Sequence, residues 1–444
     1  MIVAIVNLWP WVRVTNALLD DNWLNHLASY HHLFVGFSGG LDSTVLLHRL
    51  SQIPVLASKL SAIHVHHGLS LHADAWLLHC QTICASLSIP ITVRVVEFEQ
   101  RFNLEEHARK ARYDAFLALI GENDGLLLGH HADDQAETLL LQLLRGAGVD
   151  GLAAMPAIKP LGLGQLLRPF LKCSRAALEA YAHVHKLTWI DDESNQDSTF
   201  SRNYLRHQVM PLLRDRWPGV VNNLARTALH CQDAKANLHA LAELDCPELI
   251  APSDTLSISP LLIEKTQDHA RLGNVLRTWL INNDVRLPST ATFNRIIHEV
   301  IDADKDAVPC VEWEGVRIRR YRDKLYLLKQ EPIVTGSTLD WHNFPAPLEI
   351  NHQNLCATLS KTGLFVPLNS RVQIKFRQGG EQLCSHGQTK TLKKLLQEWH
   401  VPPWQRDTIP LVYVGDELVA VVGFAIDDRF YTKNQANTYQ IDLV

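Results

Sequence analysis

Apolar and polar positions along the first half of the chain alternate between two rhythms. Short apolar runs at 33–37, 62–65, 91–98 and 126–128 predict strands. Between them, 43–50, 75–87, 104–120 and 134–144 carry apolar residues at the three-to-four spacing of a helix face. Strands alternating with helices predict a parallel, doubly wound α/β sheet, whose ligand lies at the carboxyl ends of its strands. The rhythm changes after Trp217-Pro218-Gly219. Helices are expected over 222–244, 267–282 and 290–301, then a hairpin at about 311–328. A polar, proline-containing stretch at 331–348 reads as a linker. Beyond it lies a small mixed α/β region, with strands near 372–376, 411–414 and 418–423 and a helix over 391–399. The expected domains are therefore 1–219, 220–330 and 349–444, in keeping with a 444-residue length.

Composition narrows the class. With 42 Lys+Arg against 47 Asp+Glu the chain is mildly acidic, so any RNA contact must come from local basic patches. Eight scattered cysteines with no CxxC pair predict a reduced, cytoplasmic protein without a disulfide framework, zinc site or iron–sulfur site. Residues 1–14 are apolar, but they lack a basic flank and are broken by Pro10. Neither export nor membrane anchoring is expected.

The first predicted strand runs into Ser38-Gly39-Gly40-Leu41-Asp42-Ser43, and a helix follows. Glycines let backbone N–H groups approach an anion, the helix N-terminus adds its positive dipole end, and two serine hydroxyls can donate. Asp42 beside phosphate implies an intervening Mg²⁺. An ordinary Gly-rich helix cap is the plain alternative, yet SGGxDS directly after an apolar strand is far more specific than such a turn. It is no Walker loop, because GK[ST] is missing. The motif resembles the PP-loop pyrophosphatase superfamily, which implies cleavage of ATP to AMP and pyrophosphate with adenylation of an oxygen.

Four further stretches narrow the resemblance. They are His64-Val65-His66-His67-Gly68-Leu69-Ser70, Asn103-Leu104-Glu105-Glu106-His107-Ala108-Arg109-Lys110-Ala111-Arg112-Tyr113, Gly129-His130-His131-Ala132-Asp133-Asp134-Gln135-Ala136-Glu137-Thr138, and Asp192-Glu193-Ser194-Asn195-Gln196-Asp197 leading to Arg202-Asn203-Tyr204-Leu205-Arg206. In this order and spacing the chain resembles the tRNA(Ile)-lysidine synthase family, although Ser70 stands where many relatives carry Arg. The resemblance implies that ATP adenylates the C2 oxygen of the wobble cytidine in an isoleucine tRNA with a CAU anticodon. The ε-amine of L-lysine then displaces AMP. Lysine must attack as a neutral amine, and deprotonating a group of pKa ~10.4 at pH 7 costs roughly 4–5 kcal/mol.

A carboxylate site that holds the ammonium and accepts its proton suits that step. Asp133, Asp134 and Glu137 supply one, three and four residues apart on one helix face, at the helix start where the dipole tolerates negative charge. A solvated acidic cap is the alternative meaning of such a run. Arg112, three residues from Arg109, and Arg206, four from Arg202, are expected at the phosphate or the tRNA backbone. Surface pairing with Glu105 and Glu106 competes for the first pair. His66 is expected at the nucleotide edge, and His131 at the phosphate or the developing charge.

Two basic stretches are the expected tRNA contacts. Residues 311–329 hold six basic side chains against three acidic, among them Arg317, Arg319 and Arg320 beside Tyr321. Residues 371–406 hold seven against two, with Lys390, Lys393, Lys394 and Arg406 near Trp399 and Trp404. Positive charge neutralises phosphates and aromatics stack on bases. An ordinary basic face with buried tryptophans is the alternative. The rival functions are a PP-loop tRNA thiolase, disfavoured by the lack of paired cysteines, an amidotransferase lacking a glutaminase cysteine, and a silent tRNA-binding protein.

Overall fold

The computed structural model describes residues 18–443 other than 67, 69–71, 97–103, 192, 194–196, 260, 262–268, 305–306, 330–337, 351–352, 369 and 434. The expectations for 1–14, His67, Ser70 and most of 192–196 fall outside the described residues. The chain forms two compact units, Met1–Ala240 and Leu241–Val444.

The first unit is built on a six-stranded sheet: β1 (Leu33–Gly36), β2 (Leu60–His66), β3 (Ile91–Val95), β4 (Gly125–Leu127), β5 (Ile158–Leu161) and β6 (Gly164–Leu167). Its order is β3-β2-β1-β4-β6-β5, parallel throughout except for the β5 edge strand. Along β1 the side chains alternate between faces. Leu33 and Val35 pack with Leu46, Leu50, Cys80 and Cys84, whereas Phe34 joins Phe116, Ile120 and Leu126 on the other side. Both faces are covered, which is why the strands read as continuous apolar runs. The helices Leu41–Ser51, Ala73–Ser86, Leu104–Leu117 and Ala132–Leu144 fall where periodicity expects them.

The β5–β6 hairpin was not anticipated. Pro160, Gly162 and Gly164 punctuate that stretch, but β5 is an edge strand, where proline costs no ladder bond. Helix Val220–Asp245, expected to open the second domain, is tied into the first unit. Gln232 Nε2 donates to the carbonyls of Ala153 and Met155, and Lys235 pairs with Asp150.

In the second unit β7 (Thr255–Ser257), β8 (Cys310–Trp313), β9 (Val316–Tyr321) and β10 (Lys324–Leu328) form an antiparallel sheet in the order β7-β10-β9-β8. It packs on helix His269–Asn282 through Trp279, Leu272, Ile318 and Leu325. Farther on, Val372–Lys375, Leu411–Val414 and Glu417–Val421 share a sheet, with helix Leu392–Glu398 beside it. The described part of the expected linker is not one. Leu339–Asp340 pairs with Val372–Lys375, Leu348–Ile350 pairs with Gln353–Phe365, and buried Trp341 anchors the segment by donating from Nε1 to the Ala346 carbonyl. No described helix is long and apolar enough to cross a membrane.

Candidate active site

The loop after β1 is shaped by its glycines. Gly39 has φ +81°, and a Cβ there would lie 2.8 Å from Ile190 Cδ1 and 2.9 Å from Cys80 Sγ, so only glycine fits. Gly40 caps helix Leu41–Ser51 in extended conformation with no side-chain cap bond. Its carbonyl accepts from Ser43 Oγ at 3.1 Å, and Ser43 Oγ lies 3.2 Å from Ser38 Oγ. Leu41 is buried beneath the loop and Ser38 is exposed. Asp42 is half-buried and its Oδ1 is buried without a hydrogen-bond partner. Gly129 lets the loop after β4 press on this turn, because a Cβ there would lie 2.9 Å from the Asp42 carbonyl oxygen.

His131, 1% exposed, begins helix Ala132–Leu144 with a reciprocal cap. Its Nδ1 accepts from the Asp134 amide at 3.4 Å, and its own amide donates to Asp134 Oδ2 at 3.0 Å. Nε2 lies 3.6 Å from Asp42 Oδ2 and 3.4 Å from Asp134 Oδ2. Burial disfavours a charged ring, but the Asp42, Asp134 and Asp133 carboxylates outweigh it and raise the His131 pKa.

The three acidic residues on this helix are buried and fully partnered. Asp133 accepts from the Arg175 amide at 2.8 Å and from Arg214. Asp134 Oδ1 accepts from Arg202 at 3.0 Å and Arg206 at 3.1 Å. Glu137 takes Arg206 Nε at 2.7 Å on one oxygen, and Arg202 Nε and Arg206 Nη2, both at 2.9 Å, on the other. Burial alone would push the Asp134 carboxyl up. His131, Arg202, His130 and the His131 amide reverse this and hold it at about 2. The solvated acidic cap is thereby excluded. Arg206 sits in a π turn, Leu205–Val209, inside the run of helix from Ser201 to Arg216, a widening frequent at functional sites.

The remaining first-unit expectations separate. His66, at the end of β2, bonds exposed Asp74 at 3.1 Å, and its Nδ1 is buried without a partner. Arg112 is exposed on helix Leu104–Leu117, and Arg109 lies over the Tyr113 ring at 5.5 Å. Sequence reasoning passed over Arg214, His130 and the buried Arg168, whose Nε donates to His130 Nδ1 at 3.1 Å. Arg214 lies eight residues beyond Arg206 on the same helical run, which was the only available signal.

In the second unit the basic stretches divide by burial. Arg320 is 5% exposed and donates to the carbonyls of Ile301, Ala303 and Arg322, so it is not a surface contact. Strand alternation puts it beside Ile318 on the core face. Arg406 is likewise engaged, donating to the Val401 carbonyl and to the Tyr321 hydroxyl at 3.2 Å. Arg319 lies over the Trp404 ring at 5.2 Å, and Arg317 is half-buried. Lys390 pairs with Glu398 at 2.8 Å, whereas Lys393 and Lys394 are exposed on helix Leu392–Glu398.

Comparison with known proteins identifies the family. Residues 13–213 match the PP-loop domain, 256–326 the TilS substrate binding domain and 372–443 the TilS substrate C-terminal domain. The tRNA(Ile)-lysidine synthase of Legionella pneumophila strain Philadelphia 1 is 51% identical over 96% of this chain and 99% of its own length. The enzymes of that name from Coxiella burnetii and Pseudomonas aeruginosa are 41% and 43% identical, over 95% and 87% of this chain and 95% and 88% of theirs. On this similarity along nearly its whole length, the chain belongs to the tRNA(Ile)-lysidine synthase family.

Proposed function

We propose that the 38–43 loop and the arginine-clamped carboxylates together carry out the family's reaction, an ATP-dependent ligation that forms a C–N bond on a tRNA. The wobble cytidine of an isoleucine tRNA with a CAU anticodon is adenylated on its C2 oxygen. The ε-amine of L-lysine then displaces AMP to give lysidine. The observation that carries this reading is the convergence of Asp42, His131, Asp134 and Glu137 where β1 and β4 end, beside a loop whose N–H groups and hydroxyls suit a phosphate.

Within this reading, Ser38, Gly39, Gly40 and Ser43 receive the phosphates of ATP, with Leu41 seating the helix. Asp42 Oδ1, buried and unpartnered, suits a hard cation, and Mg²⁺ binds through few carboxylates together with phosphates. Such an ion would neutralise phosphate charge when bound. His131 braces Asp42 from behind, and His66 faces the nucleotide edge. Arg206 and Arg112 supply positive charge for phosphate or RNA. Asp133, Asp134 and Glu137 draw in the lysine ammonium. Asp134, held at about 2, is itself a poor acceptor for that proton.

The domain at 1–219 performs the chemistry, while 220–330 and 349–444 bind tRNA through Lys393, Lys394, Lys390, Arg317 and Arg319. The thiolase reading is opposed by the cysteines themselves. Burial pushes the thiols of Cys80, Cys84 and Cys173 up to about 12, 11 and 11, too high to supply a thiolate at neutral pH. The decisive experiment supplies Mg-ATP, labelled lysine and an isoleucine tRNA transcript with a CAU anticodon. Label enters that RNA and not a methionine tRNA of the same anticodon. Transfer of sulfur or ammonia in place of lysine refutes the reading, and Asp42→Ala abolishes incorporation.

A further inference from the structure

Arg168 is a buried guanidinium with no carboxylate in ion-pair range among the described residues. Leaving such a charge unpaired in the interior is costly, so its contacts call for an explanation. It directly follows β6, and His130 stands three residues beyond β4. The two strands are neighbours, with Leu127 opposite Leu167, so both side chains emerge at one sheet edge. Arg168 Nη1 is anchored on the Pro156 carbonyl at 2.8 Å. Its Nε donates to His130 Nδ1 at 3.1 Å.

A guanidinium can only donate, so His130 Nδ1 must be a lone-pair acceptor and the ring hydrogen must sit on Nε2. Among the described residues no hydrogen-bond partner meets Nε2, and the His130 ring is half-buried beside the carboxylate cluster. We propose that Arg168 is a positioning residue, which holds His130 as the Nε2–H tautomer so that this ring offers the substrate a fixed hydrogen-bond donor. The proposal rests on reading the cluster as the ligation site. The charged groups around the ring agree with it. Burial lowers the His130 pKa, Asp134 opposes, and Arg168, Arg202 and Arg112 lower it further, to about 3.

The test compares Arg168→Met, His130→Gln and the double variant, with Arg168→Lys as the conservative change. Glutamine keeps an amide N–H close to the position of Nε2. Arg168→Met is expected to lower kcat for lysine incorporation roughly 10- to 100-fold with KM for ATP and tRNA little changed, as losing an orienting partner of a histidine does. Its acid limb should move to higher pH, because a repelling charge beside His130 has gone while burial still holds the ring below its ordinary value. Arg168→Lys should restore only part of kcat, since it keeps the charge without the fork. In the His130→Gln background the same change should cost little, because Arg168 then has no ring to orient. Equal losses in both backgrounds, or an unaltered pH profile, would mean a purely structural role and overturn the proposal. Nitrogen-15 histidine spectra, with His130 assigned from His130→Gln, read the tautomer directly. An Nδ1–H form in the wild type refutes the proposal, and this holds whether or not lysine enters RNA.

Discussion

The two units of the chain treat charge in opposite ways. In the first, Asp133, Asp134 and Glu137 are taken out of water and each is met by arginine N–H groups or a backbone amide. In the second, the most basic helix leaves Lys393 and Lys394 in solvent. Buried charges act through fixed geometry in a low dielectric, and exposed ones through long-range attraction that salt screens. A run of like charges in sequence therefore reveals its use only once burial is known.

The largest effect should come from opening a buried pair. Glu137→Gln keeps the shape but leaves Arg202 and Arg206 facing a neutral amide. Lysine incorporation should fall by about 10² to 10³, the scale of a lost electrostatic contact in a preorganised site. Thermal unfolding should show a loss on the order of 3–5 kcal/mol, because one partner of a buried ion pair has been removed. Wild-type incorporation by this variant would dissolve the contrast between the units.

Arg320 sharpens the comparison from the other side, as a basic residue of the second unit that behaves like the first. Arg320→Met strands three carbonyls, and stability should drop by about 2–4 kcal/mol. The KM for tRNA, measured at a temperature where the variant is folded, should not move. A raised KM would return Arg320 to the RNA surface.

Much of the first unit was legible in the sequence because its determinants are local. A parallel sheet covered on both faces demands apolar strands, and the Gly-rich turn and the Asp133–Glu137 spacing are contiguous motifs. What stayed hidden depends on distant pairing. Nothing in the sequence joins Asp133 to Arg214, 81 residues away, or His130 to Arg168, 38 away. Arg320 is a different failure. It was counted by charge with its neighbours, although the period of the strand, with Ile318 and Arg320 on one face and Arg317 and Arg319 on the other, already separates them. The hidden strand Leu339–Asp340 is two residues long, too short to show any period.

A third effect reads buried Asp134 and its partners, His131 first and Arg202 next, through pH. The folded carboxyl of Asp134 titrates at about 2 against an ordinary 3.8, so ionised Asp134 stabilises the fold. That contribution, about 2 kcal/mol from the usual conversion, is complete above the unfolded value and fades as pH falls from about 4 towards 2. Urea unfolding of the wild type should lose this increment over that interval. Asp134→Asn should be less stable at neutral pH and show a shallower acid slope. A parallel slope in both proteins would deny the ionised, paired state.

The smallest effect belongs to the exposed lysines, and it should appear in binding alone. Lys393→Glu with Lys394→Glu should weaken tRNA binding roughly tenfold at physiological salt and flatten the dependence of log affinity on log salt by about one to two. Incorporation at saturating tRNA should be unchanged, since neither side chain is part of the carboxylate cluster. The same pair changed to alanine should give a milder version with the same sign. Unfolding should be unaffected in both, because solvent already surrounds these side chains. Salt separates the units: raising it should erase the difference between the lysine variants and the wild type, yet leave the Glu137→Gln defect intact, because a buried pair is only weakly screened.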